Sequence, residues 1–129
     1  MSLSLIIPVY NESSQITETI IKLKKIKHKI DNFEIIVIDD FSTDNTFKII
    51  RKIKKNIKFL RIYSNKKKGL GGAITVGVSK SRFKFIAIFM ADMSDDINDL
   101  LNYYRFINNE KIDAVFGTRF SNKSKVINY

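Results

Sequence analysis

Acidic side chains are scarce in this chain and fall in a few places. Thirteen Asp and Glu stand against 23 Lys and Arg, and most of the acids follow apolar, β-branched runs. Tyr10, Asn11 and Glu12 follow one run, Asp39 and Asp40 a second, Asp92 and Asp95 a third, and Thr118 and Arg119 another. Carboxylate oxygens are the ligands that Mg²⁺ or Mn²⁺ prefers, and such ions bridge a carboxylate to substrate phosphates. The chemistry these residue types suggest is therefore a phosphate-bearing ligand held through a divalent metal. Lys66, Lys67 and Lys68 precede Gly69-Leu70-Gly71-Gly72, a helix start where cations and backbone N–H groups can jointly face an anion. The glycine spacing fits neither common nucleotide fingerprint, so close helix packing is the reading for the glycines themselves. With no Cys and a single His28, thiolate metal sites, disulfides, cysteine nucleophiles and histidine metal clusters are excluded.

These residues make one site only if their elements deliver them to one place. LSLIIPV (3–9) reads as a buried strand ending near a proline, EIIVI (34–38) as a second, 58–63 as a third and FKFIAIFM (83–90) as the strongest. A fifth is expected at 113–117. Between them, Ser13 or Ser14 can cap a helix with the stripe Ile16, Ile20, Leu23, Ile26 and Ile30. Ser42, Thr43 and Asp44 offer capping for a second helix with Phe47, Ile50, Ile53 and Ile57. The glycine-rich turn opens a third through Ala73 to about position 80, and Leu100, Leu101, Tyr104 and Ile107 mark a fourth. Alternating strands and helices imply a three-layer α/β/α fold with a mainly parallel sheet. In such a sheet all strand ends that carry the polar residues share one edge, where ligands of open α/β folds bind.

Composition bounds the rest. At 129 residues and 44% apolar the chain suits one domain. No apolar run reaches the roughly 18 residues of a membrane span, and the start lacks a signal peptide's pattern, so a cytoplasmic location is expected. The net charge of +10 first suggests a phosphate-bearing partner. However, 22 Ile, 18 Lys and 11 Asn also fit the bias of an AT-rich genome. The lysines are not interleaved with exposed aromatics, which sets nucleic acid aside and leaves peripheral contact with an anionic membrane.

IIPVYNE (6–12), EIIVIDDFSTDNT (34–46), KGLGGA (68–73), MADMSDD (90–96) and FGTRF (116–120), in this order, resemble family 2 glycosyltransferases, most closely the dolichol-phosphate mannosyltransferase-like branch. The resemblance implies a nucleotide-diphospho-sugar transferase fold of the GT-A, Rossmann-like type, and a single catalytic domain over 1–129 that stops short on its acceptor side. It implies an inverting transfer of a hexose from a UDP- or GDP-sugar to an acceptor, a polyprenyl or dolichyl phosphate, with Mg²⁺ or Mn²⁺ at Asp92. By position, Pro8, Tyr10, Glu12, Ile38 and Asp40 match residues around the donor nucleoside. Ala91, Asp92 and Ser94 match the loop at the donor diphosphate, Asp92 being the second acid of a D-x-D motif, and Arg119 matches an arginine beside the donor phosphates. Asp92 and Arg119 are the catalytic candidates, and Asp92 and Asp95 the metal candidates. Met90 stands where the first acid of D-x-D is expected. Two alternatives stay open: a non-catalytic nucleotide-sugar-binding module, and a receiver-type signalling domain.

Overall fold

The computed structural model describes residues 2–109 and 111–118. β1 (Ser2–Val9), β2 (Asn32–Asp39), β3 (Leu60–Ser64) and β4 (Phe85–Ile88) form one parallel sheet in the order β3-β2-β1-β4. Helices α1 (Ile16–Lys24), α2 (Thr46–Lys54), α3 (Leu70–Lys80) and α4 (Ile97–Asn109) alternate with the strands, and a 3-10 turn (Lys25–His28) extends α1. The three-layer α/β/α expectation holds.

β1 and β2 are covered on both faces, which is why they read as continuous apolar runs and not as alternation. Leu3, Leu5 and Ile7 face α1, α2 and α4 through Ile16, Ile20, Leu23, Ile50 and Leu100. Ile6, Ile36 and Ile38 face Ala73 of α3. That helix lies close: a Cβ on Gly77 would come within 2.5 Å of the Ile6 side chain. The α1 stripe from Ile16 to Ile30 is buried as expected.

Four expectations change. β4 is shorter than 83–90 at both ends. At its start, the Phe83 N–H donates to the Ser4 hydroxyl (3.2 Å) and Arg82 N–H to Glu34 (2.8 Å), so side chains replace the ladder there. At its end, Phe89 N–H donates to the Ile6 carbonyl (2.9 Å), and the next position of β1 on that side is Pro8, which has no N–H to continue the ladder. Ser13 and Ser14 do not cap α1; the Glu12 carbonyl accepts from Gln15 and Ile16 N–H, and the helix starts from that turn. The third helix opens at Leu70, directly after Gly69, whose φ of 120° suits glycine alone. The fifth strand expected at 113–117 does not form among the described residues. Residues 113–118 run beside the outer edge of β4, lining a groove of about 630 Å³, without joining the sheet. β4 is only four residues long and offers few outward backbone groups, and Phe116 stays 90% exposed.

The lower end of the sheet is fastened by one buried carboxylate. Glu34 accepts from Ser4 Oγ (2.7 Å), Arg61 Nη1 (2.9 Å) and Arg82 N–H, while Arg61 also donates to the Lys80 carbonyl (2.7 Å). Burial pushes the Glu34 carboxyl up, but the hydrogen bonds from Ser4, Arg82 and Arg61 outweigh it and hold the group below the usual carboxylate range.

Candidate functional site

The upper edge of the sheet collects the loops after β1, β2 and β4. Strand order reverses between β1 and β4, the place where open α/β sheets leave a crevice. After β1 the chain turns through Asn11 at φ 50°. The side-chain carbonyl of Asn11 accepts from Thr43 N–H (2.8 Å) and Asp44 N–H (3.3 Å), and Asn11 N–H donates to Ser42 Oγ (3.0 Å). Glu12 N–H donates to Thr46 Oγ1 (2.9 Å). The segment Ser42 to Thr46 thus does more than open α2; it fixes the loop that carries Tyr10 and Glu12. Of the three capping candidates, Asp44 acts, accepting from Thr46 N–H (2.9 Å) and its hydroxyl. Those bonds, the hydroxyl's first, hold its carboxyl down to about 2.

Asp39 and Asp40 divide their work. Both oxygens of Asp40 accept from Gly69 N–H (3.0 and 3.1 Å), and one also accepts from Asn65 Nδ2 (2.8 Å). Asp40 therefore shapes the turn into α3 and leaves Lys66 to Lys68 on its outside. Lys68 Nζ lies 5.5 Å from the centroid of the half-exposed Tyr10 ring. Asp39 is buried; Oδ2 accepts from Ser42 N–H (3.3 Å), and Oδ1 has no hydrogen-bond partner.

After β4, Thr19 Oγ1 on α1 donates to the Ala91 carbonyl (3.0 Å), pinning this loop from below. Met93 adopts φ 64°, Asp92 Oδ1 accepts from Ser94 N–H (2.9 Å), and Asp95 Oδ2 accepts from Met90 N–H (2.7 Å). Asp95 thus closes the loop, and Asp92 stands exposed at its tip. Burial raises the Glu12 carboxyl above its usual range, followed by the charges of Asp92 and of Asp44. Glu12, following β1, and Asp92, following β4, therefore stand on the loops that flank the crevice between those two strands.

The structure brings Pro8, Tyr10, Glu12, Ile38, Asp40, Ala91, Asp92, Ser94 and Asp95 to this one edge, although Pro8, Ile38 and Ala91 are buried beneath it. Arg119 lies outside the described residues. Among the described residues no group of three acidic or histidine side chains forms a ready metal cage. The scaffold roles of Asn65, Thr19 and Thr46 have no signature in the sequence, since each depends on a partner 25 to 72 positions away.

Residues 4–129 match the family model described as glycosyl transferase family 2. The chain belongs to glycosyltransferase family 2. Within that family it is 30% identical over 129 residues to the poly-beta-1,6-N-acetyl-D-glucosamine synthase of Staphylococcus aureus (strain COL), covering 97% of this chain and 30% of the relative. The enzyme of the same name from Staphylococcus epidermidis is also 30% identical, over 127 residues. The chain thus spans about a third of the length of these curated relatives. Among solved structures, S. aureus TarS 1-349 in complex with UDP is 29% identical with a TM-score of 0.69, over 84% of this chain and 32% of that one. The mannosyltransferase PcManGT from Pyrobaculum calidifontis, in complex with GDP-Man and Mn²⁺, shares the fold with a TM-score of 0.72 at 22% identity, over 81% of this chain and 32% of that one. The family 2 sheet and its flanking helices are those of GT-A glycosyltransferases, as expected, and the receiver-type alternative falls away.

Proposed function

We propose that the upper edge binds a nucleotide-diphospho-sugar, UDP- or GDP-linked, and that the chain carries the donor half of an inverting hexosyltransferase. The observation that carries this reading is that the loops after β1, β2 and β4 meet at the strand-order reversal of a family 2 domain, with Asp92 exposed at the tip of the last of them. Pro8, Tyr10, Glu12, Ile38 and Asp40 surround the nucleoside in this reading, with Ala91, Asp92 and Ser94 at the diphosphate and Arg119 beside its phosphates. Asp92 and Arg119 are the catalytic residues proposed.

The residues fit a divalent ion of the kind that takes one or two carboxylates and completes its shell with substrate phosphates. Asp92 would hold it, with Asp95, one oxygen of which accepts from Met90 N–H, as the second candidate. Bound there, Mg²⁺ or Mn²⁺ supplies charge stabilisation to a departing nucleoside diphosphate. The chain's own contribution is positional. Thr19, Asn11 and Asp40 hold three loops in fixed relation, so the loop that carries Asp92 needs no reorganisation during transfer.

Two acceptor classes follow. The motif order of the dolichol-phosphate mannosyltransferase-like branch supports a polyprenyl phosphate at the cytoplasmic face of a membrane, with peripheral contact to anionic lipid. The names of the curated relatives, synthases of a glucosamine polymer, support a glycan hydroxyl.

Thermal-shift measurements with UDP, GDP, CDP and ADP, each with and without Mn²⁺ or Mg²⁺, test the donor reading, because binding to the native state raises apparent stability. One base gives a metal-dependent shift that Asp92→Ala removes. No shift with any nucleotide sinks the reading, and a shift without hexose transfer to either acceptor class leaves a binding module.

A further inference from the structure

The cations of this chain are not spread evenly over it. Because the sheet is parallel, every strand begins, and α1, α2 and α3 end, at the end opposite the crevice. The connections that follow α1, α2 and α3, residues 22–31, 51–61 and 80–84, hold fourteen Lys and Arg against one acid, Asp31, and residues 111–113 after α4 add Lys111 against Asp113. The connections at the crevice end, 10–15, 39–46, 65–70 and 90–99, hold three Lys against eight acids. A lysine-rich composition alone would enrich both ends. Helix dipoles favour cations in the last turns, but Lys58, Arg82 and Lys84 lie beyond the helices. Lys27, Lys54, Lys58, Arg61 and Arg82, drawn from three connections, line one depression of about 640 Å³ together with Phe59 and Phe83. Its only acid, Glu34, is buried and already paired with Arg61 (2.9 Å) and Arg82 (3.9 Å).

We propose that this basic end is a docking surface for an anionic lipid bilayer, which gives the membrane contact named above a definite face. Eleven of the fourteen cations are Lys. The three Arg are engaged, Arg51 over the Phe47 ring (5.9 Å) and the other two with Glu34. Nucleic-acid recognition draws on free Arg forks, and protein interfaces are depleted in Lys. Compact Lys charges spread over three connections match a plane of anionic headgroups, each strengthening attachment roughly fivefold. The surface has a directional consequence. An eight-residue β1 separates it from the crevice by about 26 Å at roughly 3.3 Å per residue. A docked molecule turns its donor edge away from the lipid, which favours the glycan hydroxyl over a polyprenyl phosphate held at the bilayer surface.

Co-sedimentation of the full chain with phosphatidylcholine vesicles containing about one-third phosphatidylserine, and with phosphatidylcholine alone, reads the contact without reference to donor binding. The anionic vesicles bind preferentially at low salt, and high salt releases the protein. Lys27→Glu/Lys54→Glu/Lys58→Glu weakens binding about 100-fold, whereas Lys66→Glu/Lys67→Glu/Lys68→Glu, the same charge change at the crevice end, weakens it less than about fivefold. Lysine acetylation of the unmodified protein on vesicles supplies the readout without substitutions, with protection at Lys54 and Lys58 and none at Lys66 to Lys68. Equal losses in the two triple variants, protection at Lys66 to Lys68, no preference for anionic vesicles, or displacement by duplex DNA at matched phosphate each overturns the proposal.

Discussion

Glu12 and Asp92 are 80 positions apart in sequence and share one electrostatic environment. Since burial and then Asp92 raise the Glu12 carboxyl, Asp92→Asn lowers its titration midpoint, and carboxyl-resolved NMR measures this directly; an unchanged midpoint would mean that the two carboxylates are not electrostatically coupled. The sign for stability follows. Glu12 holds its proton more tightly in the fold than in the open chain, so stability falls as pH rises from its ordinary pKa through the raised one. Glu12→Gln removes that loss, raising the melting temperature at pH 7 while weakening nucleotide binding. Asp40 behaves differently. Asp40→Ala leaves Gly69 N–H and the Asn65 amide without their acceptor, at a cost of about 2 kcal/mol in the urea unfolding free energy. The acids are legible as a group because each follows an apolar run. Their division of labour is not, because only the fold shows that Asp40 binds the distant Gly69 N–H and Asp95 closes its loop on Met90 N–H, while Asp92, bonded to the nearby Ser94 N–H, stands exposed at the loop tip.

At the scale of elements, the central strands and helix stripes are readable because burial on two faces, or on one helical face, leaves a period in the sequence. Strand ends and the fifth strand escape, since Pro8, Ser4 and Glu34 set the limits of β4 from across the sheet. A lone Glu at the start of an apolar strand does not announce three donors. Glu34→Ala removes the carboxylate shared by Ser4, Arg61 and Arg82 and leaves a partly buried arginine unpaired. The cost is about 3 kcal/mol by chemical denaturation. Because its carboxyl is held low, the stability it provides is present above its ordinary pKa and is lost as pH falls through the lowered one. Packing of α3 has its own test: Gly77→Ala forces a methyl against Ile6 and destabilises by about 1–3 kcal/mol, while Gly71→Ala, which meets nothing within 4 Å, does not.

The whole molecule is polarised twice, in charge from end to end and in protection from sheet centre to edge. β1 and β2 pair over eight residues, β1 and β4 over four. Amide exchange is accordingly slowest in the β1–β2 ladder and faster in β4. That outer strand also has a colloidal side. Phe85 to Met90 is a six-residue stretch of FIAIFM without charge or proline, with Ile86 and Ile88 40% and 46% exposed on one face. Segments of this kind on an open edge template fibrillar stacking. Lys84 at one border and Asp92 at the other are the nearest charges that interrupt it. Turbidity and thioflavin fluorescence of concentrated protein should rise with time in the parent chain and much less in Ile88→Lys, so that shelf life, and not the crevice, registers how this edge is covered.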